Sequence, residues 1–179
     1  MIVHRLDVDA HPLLRELSAY LDTVQPPQPP YDEKGDWRAD VDAGPPAEDR
    51  PKPRAFRRQF MERPLRLPSM PDDTILSALN FYPPGGSGLG WHTDTGHPGW
   101  RVYLGRPLTH LPGAFLVPDG IFLDEPGIAT AFYVSGKPCE SWHAVRAFGA
   151  RLSVGLRIAG DRTARALGLA GACYKSPRG

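Results

Sequence analysis

The stretch GAFLVPDGIFLDEPGIATAFYV, residues 113–134, decides the fold. Three short runs of Phe, Ile, Leu, Val and Tyr are cut by Pro-Asp-Gly and Glu-Pro-Gly turns, so each run is too short for a helix and is bounded as strands are. The same texture continues outward from Thr74 to Ile158 through TILSALNFY, the segment around WHTD, WRVYL, SWHAV and ARLSVGLRI, which brings the set to about eight strands. So many strands in so short a span predict a mainly β (α+β) domain, a compact sandwich or barrel of jelly-roll or cupin-like kind whose two sheets enclose a pocket.

The flanks supply a covering layer. Residues 1–8 read as a short strand, and residues 11–24 as a helix with Pro12 in its first turn and Leu13, Leu14, Leu17, Tyr20, Leu21 and Val24 on one face, suited to packing on a sheet. Residues 25–56 are too rich in proline for any ladder and form a long loop, either a lid over a site or a disordered segment. From the end of that loop onward, Arg50, Lys52, Arg54, Arg57, Arg58, Arg63 and Arg66 make a basic segment, read first as a solvated surface and second as an attractor of anions. From Asp161 one or two helical turns run through ARALGLAGA.

With 179 residues, 41% of them hydrophobic, and a net charge of +1, the chain is expected to form one domain, 1–179. That balance excludes general disorder and gives no broad electrostatic pull towards nucleic acid. Cys139 and Cys173 follow neither a metal-ligand spacing nor a disulfide framework. The amino terminus MIVHRLDVDAH lacks the apolar run of a signal peptide, and no stretch approaches the roughly 18 apolar residues of a membrane span, so a cytoplasmic protein without a membrane partner is expected. Nothing in the sequence indicates an obligate protein partner.

The chemistry starts from WHTD. His92 and Asp94 are two residues apart and so face the same side of an extended chain, where one ion can take both. His143, in the strand-like SWHAV, offers a third ligand. Two imidazoles and one carboxylate make the facial set of non-haem iron, which leaves three octahedral positions open, whereas zinc more often settles for four ligands in all. In ARLSVGLRI, Arg151, Ser153, Gly155 and Arg157 lie on one face and Leu152, Val154, Leu156 and Ile158 on the other. If the apolar face packs against the helix, the arginines point inward, where an unpaired guanidinium is costly and needs an anion. A dicarboxylate ligand meets that need. So would an Asp or Glu of the chain itself, or an edge position facing water.

The run N-x-Y at Asn80 and Tyr82, H-x-D starting twelve residues after the Asn, the distal His143, and R-x-S-x-G-x-R at 151–157 together resemble the AlkB-like branch of the 2-oxoglutarate and Fe(II) dependent dioxygenases. That branch commonly has Asn and Thr where this chain has Ser153 and Gly155. The resemblance spans residues 74–158 and implies a double-stranded β-helix core there, supported by one or two helices. It implies that His92, Asp94 and His143 hold Fe(II), that Arg151 binds the distal carboxylate of 2-oxoglutarate with support from Tyr82, and that Asn80 and Arg157 lie near the chelating carboxylate, with Ser153 in the same pocket. It also implies consumption of O2 and 2-oxoglutarate, release of succinate and CO2, and hydroxylation of a substrate, with ascorbate as the reductant in vitro. Because Asp94 keeps the carboxylate ligand, no position is left for a halide, and halogenation is not expected.

GGSGLG before Trp91 lacks the lysine and following helix of a phosphate loop and reads as a strand connection. His97 and His110 lie in loops. Alternation turns Trp91 and Trp142 away from the ligand face, while Arg101 and Tyr103 are the better candidates to touch substrate. Near-neutral charge favours a small molecule or metabolite as substrate over a nucleobase in oxidative demethylation, for which Trp37 and the basic segment are the hints. The reading from another class is a non-catalytic cupin-like metal-binding module.

Overall fold

A computed structural model describes residues 1–26, 58–59, 66–84, 87–138 and 140–169. Along the chain these form β1 (Val3–Asp7), α1 (Pro12–Thr23), β2 (Arg58–Gln59), β3 (Thr74–Tyr82), β4 (Gly88–His92), β5 (Gly99–Pro107), β6 (Gly113–Val117), β7 (Gly120–Leu123), β8 (Ile128–Val134), β9 (His143–Ala147), β10 (Arg151–Ile158) and α2 (Asp161–Ala166). The strands make two antiparallel sheets, one in the order β1-β8-β5-β10-β3-β2 and the other β4-β9-β6-β7. From β3 onward the chain steps between the sheets, with only the β6–β7 hairpin staying in one, and this is the jelly-roll sandwich expected from the spacing of the short runs.

β10 lies at the centre of the larger sheet, between β3 and β5, and its alternation sets both layers. Leu152, Val154, Leu156 and Ile158 are buried on the outer face with Leu13, Leu14, Leu17 and Leu21 of α1 in the main core. Burying each such side chain contributes roughly 1.5 to 3 kcal/mol, and this lipophilic seam fixes which way β10 faces. Arg151, Ser153 and Gly155 are therefore turned into the sandwich, where they are buried. Their cross-strand partners on the same face are Tyr82 and Asn80 of β3 and Gly105 and Tyr103 of β5. Elsewhere the interior is apolar, with Phe115, Val117, Phe132 and Val134 in contact between the sheets.

The helix at 12–23 and the strands fall where the sequence places them, with two differences. β2 is a two-residue edge strand on β3, inside a stretch read as solvated. The carboxy-terminal helix starts at Asp161 and stops at Ala166, short of the ALGLAGA run, because Gly168 takes a left-handed φ of 70°. Residues 27–56 of the proline-rich loop, with Trp37, Arg50, Lys52 and Arg54, lie outside the described residues, as do Arg57, Arg63, Cys139 and Cys173. Among the described residues no helix is long and apolar enough to cross a membrane.

Candidate metal centre

β4 ends on His92, β9 begins on His143, and the antiparallel register sets the two directly opposite one another. Their rings sit 4.1 Å apart between centroids. Asp94 follows just past the end of β4, and the ligating atoms of His92, Asp94 and His143 all lie within 4.8 Å of one another. One ion can reach all three. Both histidines are buried, and Asp94 is partly so.

The backbone fixes the tautomer of each imidazole. His92 Nδ1 lies 2.7 Å from the Gly90 carbonyl and His143 Nδ1 lies 2.8 Å from the Ser141 carbonyl. A carbonyl only accepts, so each Nδ1 carries the hydrogen and the lone pair resides on Nε2, the arrangement in which metal-binding histidines are held. Ser141 is the one non-glycine residue with positive φ among the described residues, at 58°. That left-handed conformation costs about 1 to 2 kcal/mol and turns the Ser141 carbonyl onto His143.

The electrostatics favour a cation. His143 is packed against Phe132 and Phe115, with centroids 4.7 and 5.7 Å away. Burial, reinforced by the neighbouring His92, pushes its pKa down to about 3, against the opposing pull of Asp94. The ring is thus neutral at physiological pH, the form that binds metals. For Asp94 burial would raise the pKa, but His143, Arg101 and His92 together hold the carboxyl below its usual range. Arg101 Nε donates to Asp94 Oδ2 at 3.1 Å and Arg101 Nη2 to the His97 carbonyl at 2.7 Å. Arg101 therefore holds Asp94 in place. Tyr103 stacks on Phe132 at 5.8 Å.

At the other end of the β10 face, Arg151 does not stand open. Its Nε and Nη2 donate to Asp124 Oδ2 and Oδ1 at 2.5 and 2.9 Å, a bidentate pair whose side chains are 5% and 9% exposed. The Tyr82 ring centroid lies 5.1 Å from the guanidinium carbon. Burial works against the Arg151 charge, but the Asp124 carboxylate outweighs it and holds the pKa above the ordinary arginine value. The anion that this strand demands is thus supplied by the chain, as the paired-arginine alternative had it. Asp124 was missed because the turn DEPG reads as a plain strand terminator, and which acid faces β10 follows only from tertiary packing.

Asn80 and Ser153 are buried cross-strand neighbours, and Arg157, opposite Arg101 on β5, is half-buried. Three buried polar atoms on this inner face, Asn80 Oδ1, Arg101 Nη1 and Arg151 Nη1, have no hydrogen-bond partner among the described residues. Buried groups of this kind are normally met by water or a ligand; two of the three are guanidinium donors, and Asn80 Oδ1 is an acceptor. Trp91 and Trp142 pack together with Ala144 in a separate cluster, turned away from the ligands as alternation requires. His97 and His110 are exposed and stand apart from the cluster. No protein-family model matches this sequence, and no curated protein matches it either.

Proposed function

We propose that the chain is an Fe(II) and 2-oxoglutarate dependent dioxygenase that hydroxylates a small molecule or metabolite in the cytoplasm. The observation that carries this reading is the buried group of His92, Asp94 and His143, two imidazoles and one carboxylate with no fourth His, Cys, Asp or Glu joined to them among the described residues. Such a donor set suits ferrous iron with three positions left for a chelating oxo acid and O2.

With iron, 2-oxoglutarate and O2 bound, the centre would supply oxidative decarboxylation to succinate and CO2 coupled to oxygen insertion into a C–H bond. The residues have separate tasks. His92 and His143, whose Nδ1 atoms are held by the Gly90 and Ser141 carbonyls, would offer Nε2 to the metal. Arg101 donates to Asp94 Oδ2 and so orients the carboxylate that would hold the metal. Phe115 and Phe132 exclude water from the His143 side. Asn80, Arg157, Ser153 and the unpartnered Nη1 atoms of Arg101 and Arg151 are the groups available to a co-substrate carboxylate. The test is succinate formation by protein supplied with Fe(II), ascorbate, O2 and 2-oxoglutarate. Turnover that is lost in His143→Ala supports the reading, and no succinate from iron-loaded wild type counts against it.

One observation favours a second reading, a metal-binding module without turnover: Arg151 already has its carboxylate in Asp124. That module would take up metal yet fail to bind 2-oxoglutarate.

A further inference from the structure

We propose that Asp124 is an internal competitor for the carboxylate seat of Arg151, so that a ligand's distal carboxylate binds by displacing it and Asp124 sets the affinity for the acid accepted. This deepens the oxygenase reading and rests on it for the identity of the ligand. The seat itself rests on separate observations.

The seat is built into two strands from opposite sheets. A Cβ placed on Gly105 of β5 would collide with the Asp124 carboxylate, and one placed on Gly113 of β6 would collide with both that carboxylate and Arg151 Nε. The absence of side chains at these two positions leaves room for one carboxylate against one guanidinium. Asp124 takes Nε and Nη2, Tyr82 lies over the guanidinium, and Nη1 of the buried Arg151 has no hydrogen-bond partner among the described residues. An incoming carboxylate that engages Nη1 and Nη2 makes as many hydrogen bonds as Asp124 does and leaves Nε instead of Nη1 unpaired, so the exchange is close to neutral in hydrogen bonds.

Asp124 is also placed to leave. Its backbone is pinned, N–H to the Gly113 carbonyl at 2.9 Å, while Glu125, Pro126 and Gly127 immediately after it are exposed and turn through a left-handed Gly127. Rotation of one side chain at the edge of a surface turn vacates the seat without unmaking a strand. Charge is conserved in the exchange: one carboxylate leaves the guanidinium for water and another takes its place.

The experiment has two arms. In the first, the metal-free wild type, Asp124→Ala and Asp124→Asn are melted in succinate and in chloride at matched ionic strength. Succinate should raise the midpoint of the variants and leave the wild type nearly unmoved. In the second, the Mn(II)-loaded wild type and Asp124→Asn are titrated with 2-oxoglutarate and with pyruvate, which lacks the distal carboxylate. Binding of 2-oxoglutarate should tighten at least tenfold in Asp124→Asn with pyruvate unchanged. Equal 2-oxoglutarate affinities, or midpoints indifferent to succinate, would overturn the proposal. If succinate rescues the variants but neither oxo acid binds the metal-loaded proteins, the oxygenase reading fails and the exchangeable seat stands. Should both variants fail to fold, the wild-type Arg151 Nε–H resonance decides: displacement by 2-oxoglutarate shifts it, and an unmoved signal at saturation refutes exchange.

Discussion

Replacing Arg151 by Met leaves the Asp124 carboxylate, 9% exposed, buried without its cation. Breaking one side of a buried pair typically costs about 3 to 5 kcal/mol, whereas replacing both partners with apolar groups of similar volume is close to neutral. The bidentate geometry at 2.5 and 2.9 Å places this pair among the strong ones. For a chain of 179 residues each kcal/mol moves the midpoint roughly 2 to 4 °C, so Arg151→Met should lower it by roughly 6 to 20 °C. Adding Asp124→Leu should recover most of that loss, giving a coupling of about 2 kcal/mol or more in a double-mutant cycle. The assay is urea unfolding of the metal-free single and double variants at neutral pH, with m-values checked for constancy. Additive effects, or a loss below about 1 kcal/mol for Arg151→Met, would show that the pair is not the buried, mutually dependent unit described.

Other consequences follow from the same structure. Because His143 has a folded pKa near 3 against about 6.5 when unfolded, the unfolded chain binds the proton first. Metal-free protein should therefore lose stability as pH falls from 6.5 towards 3, by an amount on the order of a few kcal/mol; a His143→Phe variant that keeps the same acid slope in denaturant titrations would contradict this. Gly113→Ala pushes a methyl into both Asp124 and Arg151 and should cost about 1 to 3 kcal/mol in chemical unfolding, with a wild-type result refuting the close approach. Leu17→Ala, at a fully buried position of α1 against β10, should cost about 2 to 5 kcal/mol while metal stoichiometry by elemental analysis stays at the wild-type value. A fall in stoichiometry there would mean that the helix layer and the metal centre are not independent.

Much of this arrangement was legible in the residues. Strand positions followed from period-2 alternation bounded by Gly and Pro, and the inward face of β10 followed from the apolar seam on its other side. His92, Asp94 and His143 were recognisable because i and i+2 share a strand face, but their closure into one cluster required the His92–His143 register across β4 and β9, which pattern alone does not give. The need of Arg151 for an anion was legible from burial, and its source was not: Asp124 stands 27 residues earlier and reaches the seat only because two glycines on different sheets leave the space. The contact of Arg101 with Asp94 was not legible for a similar reason, since it depends on how the chain turns between β4 and β5.

The proposed chemistry requires His92, Asp94 and His143 to hold one iron with positions left for a chelating oxo acid. Anaerobic addition of Fe(II) and then 2-oxoglutarate to the wild type, followed by visible spectroscopy, reads this out. One iron per chain and a weak metal-to-ligand charge-transfer band on addition of 2-oxoglutarate, both abolished in His92→Ala, are the expected result. Stoichiometric iron with no band at saturating 2-oxoglutarate would contradict the oxygenase, and iron uptake undiminished in His92→Ala and His143→Ala would contradict the site.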